Sequence, residues 1–94
     1  GVFTEEFRER ENGKVYIRCT ILVERDSQKR IIIGKDGSLL KAAGQEAREE
    51  IQRLIGAPVY LDLWVKVTRD APQGRRRSGS GRIFHFPFPV QREE

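Results

Sequence analysis

Apolar residues fall on every second position from 15 to 23. Val15, Ile17, Cys19, Ile21 and Val23 alternate with Tyr16, Arg18, Thr20, Leu22 and Glu24. A period of two puts the first set on one face of a β-strand and the mostly polar set on the other. The alternation returns over 59–67, where Val59, Leu61, Leu63, Val65 and Val67 interleave with Tyr60, Asp62, Trp64 and Lys66. Residues 2–10 make a weaker strand, with Phe3 and Phe7 expected on one side and charges elsewhere. That strand stops at Asn12-Gly13, a pair suited to a two-residue hairpin turn.

Between these strands the period lengthens. Leu40, Ala43, Ala47, Ile51 and Leu54 recur in steps of three and four over 38–55, with Lys41, Gln45, Glu46, Arg48, Glu49, Gln52 and Arg53 filling the other side. This is an amphipathic helix, ended by Gly56 and Pro58. Ahead of it, Asp26-Ser27 can cap a short segment over 28–33. Its three isoleucines favour a strand by local propensity, because β-branched side chains lose χ1 freedom in a helix. The element order predicts an α+β domain over residues 1–70, a three-stranded sheet whose odd-numbered face is covered by helices.

After Asp70 the pattern changes. Residues 73–82 contain no apolar side chain and much Gly, Ser and Arg, including Arg75-Arg76-Arg77, which predicts a flexible basic linker. Ile83, Phe84, Phe86, Phe88 and Val90 then stand among Pro87 and Pro89, which predicts an extended apolar tail without central-strand character. Residues 71–94 therefore form a second unit of unassigned role. Trp64 and Tyr60, on the polar face of the third strand, could be covered by this tail, within the chain or on a second copy, so tail-mediated self-association is an expectation.

Ninety-four residues allow one small core, which favours surface recognition over a deep enclosed active site. The net charge of +4 favours a polyanionic partner. Residues 71–94 carry five basic and two acidic side chains, and within 1–70 Lys29, Arg30, Lys35 and Lys41 crowd around one short segment against Asp36. One cysteine excludes an internal disulfide, and no run of ~20 apolar residues is present, so the chain reads as cytoplasmic with no membrane required. Cys19 is expected as a buried, unreactive thiol. His85 has no partners at metal-ligand spacing, and no cofactor is implied.

The crowded segment is Ile31-Ile32-Ile33-Gly34-Lys35-Asp36-Gly37-Ser38-Leu39-Leu40. Two glycines flanking two polar residues let main-chain N–H groups approach a phosphate with no side chain between, at the start of a helix whose N-terminus is partly positive. A nucleotide phosphate loop is excluded: it needs glycine where Lys29 stands and Ser or Thr where Asp36 stands. A plain turn joining two helices is the alternative. No paired carboxylates or nucleophile–base pair is visible, so the chain is not expected to be an enzyme.

The apolar pair, the Gly-x-x-Gly loop and Leu40 three positions later resemble the signature of KH domains, and two strands before the loop helices with one after resemble the type II arrangement. Ile21-Leu22-Val23-Glu24-Arg25, Glu46-Ala47-Arg48 and residues 59–67 resemble the C-terminal KH domain of the Era GTPase family, over about residues 2–70, without that family's leading helix. The resemblance implies binding of single-stranded RNA, specifically the 3′ end of small-subunit ribosomal RNA during ribosome assembly. By position, Gly34, Lys35, Asp36 and Gly37 would contact the sugar-phosphate backbone. Ile33, Ser38 and Leu40 would wall an apolar groove for bases, and Lys29, Arg30 and Lys41 would supply charge. The alternative is a KH fold used for protein interaction or domain packing without RNA.

Overall fold

The computed structural model describes residues 1–70 and 76–89, with side chains described outside 69–80. Arg75 of the arginine cluster and Val90 of the tail lie outside the described residues, as do the side chains of Arg76 and Arg77. Four strands form one sheet in the order β1 (Val2–Glu9), β2 (Val15–Val23), β3 (Val59–Asp70), β4 (Arg76–Phe86). β1 and β2 are antiparallel, β2 and β3 parallel, β3 and β4 antiparallel. The parallel step needs a crossover, supplied by α1 (Asp26–Ile33) and α2 (Ser38–Ile55).

The two strands read from alternation form as expected. Val15, Ile17, Val59, Leu61 and Val65 are buried beneath the helices together with Ile33 and Leu40. β1 pairs as a hairpin partner, but its turn is a three-residue loop, Glu11–Gly13, in which Asn12 and Gly13 both take positive φ. A register shift between Thr4 and Glu6 also separates two residues expected together: Phe3 lies opposite Thr20 and Phe7 opposite Ile17, so they project from opposite faces. Cys19 is half-buried, with its Sγ 3.9 Å from Thr4 Oγ1.

The isoleucine run is helical despite its propensity. Ile33 is buried in the core and Ile32 packs against it, so tertiary burial outweighs a local preference worth only tenths of a kcal/mol per residue. The cap is not Asp26-Ser27: the Gln28 side-chain oxygen accepts hydrogen bonds from the N–H groups of Glu24 (2.9 Å) and Arg25 (3.2 Å). α2 also sits rotated from the expected stripe. Leu40, Gly44 and Arg48 are its buried residues, while Ala43 and Ala47 are exposed and Leu54 is 76% exposed. Arg48 is held at the inner face by donating to Gln52 Oε1 (2.7 Å), which also accepts from Val59 N–H (3.0 Å) and ties the end of α2 to the start of β3.

The largest departure is at the C-terminus. Residues expected as linker and loose tail form β4, which extends the expected three strands to four. Phe84 and Phe86 do not cover Trp64 and Tyr60; they enter the core on the helix side. Pro87 follows the last strand residue, and β4 is an edge strand, the position where nearby proline is tolerated. Phe88 reaches the open face, edge-on to Tyr60 at 5.6 Å, and Ile83 and His85 pair there opposite Trp64 and Asp62.

That open face is an aromatic and cationic surface rather than a bare polar one. Arg18 and Lys66 lie over the Trp64 ring at 4.6 and 3.6 Å, and Arg8 and Arg10 over Tyr16. Asp62 is buried there, accepting from Tyr16 Oη (2.6 Å) and lying 2.6 Å from His85 Nδ1. The hydrogen bond to the Asp62 carboxylate, with burial behind it, pushes the Tyr16 hydroxyl up to about 12.

Candidate nucleic-acid interface

The loop between α1 and α2 owes its shape to its two glycines. Gly34 (φ 77°) ends α1, its N–H donating to Arg30 O at 2.9 Å, and Gly37 (φ 76°) starts α2. Both lie in the left-handed region, where a side chain is strained. Space forbids one as well: a Cβ on Gly34 would fall 2.6 Å from that of Leu39. Asp36 also takes positive φ, 55°, which short polar residues tolerate.

Between the glycines the chain makes one 3-10 turn, Lys35–Gly37, closed by Gly37 N–H to Gly34 O at 3.3 Å and Ser38 N–H to Lys35 O. Lys35 and Asp36 are exposed, and no described residue accepts from their N–H groups. Two adjacent main-chain donors without an acceptor among the described residues therefore lie on an exposed part of the turn. The Lys41 ammonium donates to Asp36 O (3.4 Å), which brings a cation from α2 back over the loop.

Lys29, Arg30, Ile33, Gly34 and Lys35 line one open cleft of about 780 Å³ beside the loop, together with Asp26 and Arg82. The structure thus gathers five of the ten residues singled out from the sequence. Asp36, Ser38 and Lys41 are exposed around its rim, on the loop and the first turn of α2. Two are placed differently from expectation. Leu40, expected to wall an open groove, is 3% exposed and lies in the core with Phe84 and Phe86. Gly37 is buried, because the Phe84 ring comes within 3.0 Å of where its Cβ would be. Through Arg82, β4 contributes to the lining of the cleft.

Arg82 is not among the residues that local pattern singles out. The period-two run Arg82, Phe84, Phe86 is its signal in the sequence, outweighed by the Gly and Ser before it and the prolines after it. Among the described residues, no group of three or more His, Cys, Asp or Glu is placed to hold a metal. No helix among them is long and apolar enough to cross a membrane.

Comparison with known proteins agrees with this geometry. The family model described as KH domain matches residues 2–71. The GTPase Era of Carboxydothermus hydrogenoformans is 59% identical over 70 residues, covering 73% of this chain and 24% of that protein. The GTPase Era of Heliobacterium modesticaldum is 54% identical over 85 residues, covering 90% of this chain and 27% of that one. The latter match runs past Asp70, beyond the residues 2–70 over which the sequence motifs resemble the family. A crystal structure of Era in complex with MgGDPNP and nucleotides 1506–1542 of 16S ribosomal RNA superposes with a TM-score of 0.65 at 40% identity, over 77% of this chain and 26% of that one. The chain spans about a quarter of the length of these relatives. With the loop, the crossover and the family match all over the same residues, this chain belongs to the KH domain family, and its KH domain resembles that of the Era GTPases.

Proposed function

We propose that this domain binds single-stranded RNA through the Gly34–Gly37 loop and the cleft beside it. The observation that carries the reading is the exposed turn bearing the Lys35 and Asp36 amides, set beside a cleft lined by Lys29, Arg30 and Lys35. A Gly-x-x-Gly loop of this kind clamps about four nucleotides of backbone. The target is the 3′ end of small-subunit ribosomal RNA, within the small ribosomal subunit during its assembly. This follows from the likeness to Era, one relative of which is seen with nucleotides 1506–1542 of 16S ribosomal RNA. The chain acts in the cytoplasm as the RNA-binding part of an Era-like GTPase, and the GTP chemistry resides outside it.

The exposure of Ile31 (71%) and Leu54 on the helices favours a second reading, docking of another protein segment there. Self-association through the tail loses its motive, since Phe84 and Phe86 are spent in the chain's own core.

Titration with short single-stranded RNAs, a ribosomal 3′ end among them, separates the readings. RNA binding should weaken with salt at a log–log slope of roughly −2 to −3, at about −0.7 per phosphate for ~4 phosphates. Lys35→Asp reverses a charge beside Asp36 and should cost at least about ten-fold in affinity with an unchanged circular dichroism spectrum. Undiminished binding by that variant would remove the loop from the site.

A further inference from the structure

We infer that Arg82, on the C-terminal strand, is an additional RNA-contacting residue, so that the site extends onto β4, beyond the family match at residues 2–71. This rests on the RNA-binding reading above.

The argument starts from strand parity. On β4, residues 82, 84 and 86 share one face, and the burial of Phe84 and Phe86 identifies it as the helix side. Two close contacts then fix where β4 lies along α2. The Phe86 ring occupies the space above Gly44, at 2.1 Å from a Cβ placed there, and the Phe84 ring occupies the space above Gly37. Any side chain at either glycine would push the strand away. With Phe84 held over Gly37, the next helix-side residue toward the N-terminus is Arg82, paired opposite Val65, and it emerges at the level of the loop.

Its guanidinium is directed as well as located. The Cζ atom sits 4.6 Å from the centre of the Phe84 ring, a cation–π contact that leans the side chain along the strand toward Phe84 and the Gly37 turn. One Nη lies 3.5 Å from the Cβ position of Gly37, and the side chain lines the same cleft as Lys29, Arg30, Gly34 and Lys35. No described carboxylate pairs with it. Arg82 is exposed, so it contributes little to the core. The cleft then has cations on opposing walls: Lys29 and Arg30 on α1, Lys35 on the loop, and Arg82 on β4. Among the described residues that line it, Asp26 is the one acid. A strand threaded along the loop passes between these walls, and a planar guanidinium on the far side can take a phosphate or a base edge with two parallel donors.

The test uses the full chain and a short single-stranded RNA. Arg82→Gln should weaken binding about five- to ten-fold at 0.1 M salt and shrink the salt slope by about 0.7, with the melting temperature close to that of the unaltered chain. Arg82→Lys should keep the salt slope, because the charge remains, and should bind between Arg82→Gln and the unaltered chain, because the two parallel donors are lost. A merely structural role for the arginine would not keep the slope with the charge. Equal or tighter binding by Arg82→Gln, with an unchanged slope, overturns the inference. If binding responds to Lys35→Asp and not to Arg82, this inference alone fails; if the unaltered chain binds no RNA, the underlying reading fails with it.

Discussion

Replacing Gly44 by alanine tests the position of β4 through the sign of one measurement. Gly44 lies inside α2, where glycine is about 1 kcal/mol less favourable than alanine, so local reasoning predicts stabilisation. Packing predicts the opposite. A Cβ on Gly44 would lie 2.1, 2.4 and 2.7 Å from three atoms of the Phe86 ring, whereas ordinary contacts run 3.4–4 Å. The ring must retreat within a core already filled by Leu61, its register partner on β3. Accommodating a methyl in a filled core costs about 1–3 kcal/mol, and loss of a buried phenylalanine about 3–5 kcal/mol. Taking about 3 kcal/mol and offsetting about 1 kcal/mol of helix propensity leaves a net destabilisation of about 2 kcal/mol. For a domain of this size that lowers Tm by roughly 8–16 °C. Thermal melts of the unaltered chain, Gly44→Ala, Phe86→Ala and the double variant complete the cycle. With Phe86 gone, Gly44→Ala should become stabilising by up to about 1 kcal/mol. A rise in Tm for Gly44→Ala in the otherwise unaltered chain would refute the packing of β4 on α2, and with it the route by which Arg82 reaches the cleft.

Two further outcomes are expected. Asp36→Asn keeps a residue that tolerates the left-handed φ and removes a carboxylate from the loop, so RNA affinity should rise about three-fold, the worth of one unit charge at ~6 Å in water; unchanged or weaker binding in a fluorescence titration would count against backbone contact at this turn. The Tyr16 hydroxyl is raised from 10.0 to about 12 in the folded chain, so the stability from its bond to Asp62 is fully present below pH 10 and is lost as pH rises through 12. The stability difference between the unaltered chain and Tyr16→Phe, measured by urea unfolding, should therefore be constant to pH 10 and close above it, and a difference still flat at pH 12 would contradict the hydrogen bond.

Much of the site was legible without coordinates. The Gly-x-x-Gly turn needs two positive-φ residues at fixed spacing, and a two-glycine pattern between an apolar run and a periodic helix reports that directly. Its cations were legible too, because Lys29, Arg30, Lys35 and Lys41 are neighbours in the chain. The strands over 15–23 and 59–67 declared themselves by alternation, since one face of each is buried and the other is not. Three things were decided only in three dimensions. The helical state of Ile31, Ile32 and Ile33 comes from burial of Ile33 in a core built by distant strands. The rotation of α2 onto Gly44 and Arg48, in place of Ala43 and Ala47, comes from a phenylalanine forty-two positions later that needs room a methyl would fill. Finally, whether residues 76–86 hang free or form an edge strand depends on the open side of β3 and on an apolar slot beside α2. Neither is visible within the segment itself, because a strand's partner is a long-range contact while glycine, serine and proline act locally. Arg82 reaches the cleft beside the loop by that long-range pairing, which is why local pattern could find one wall of the candidate site and not the other.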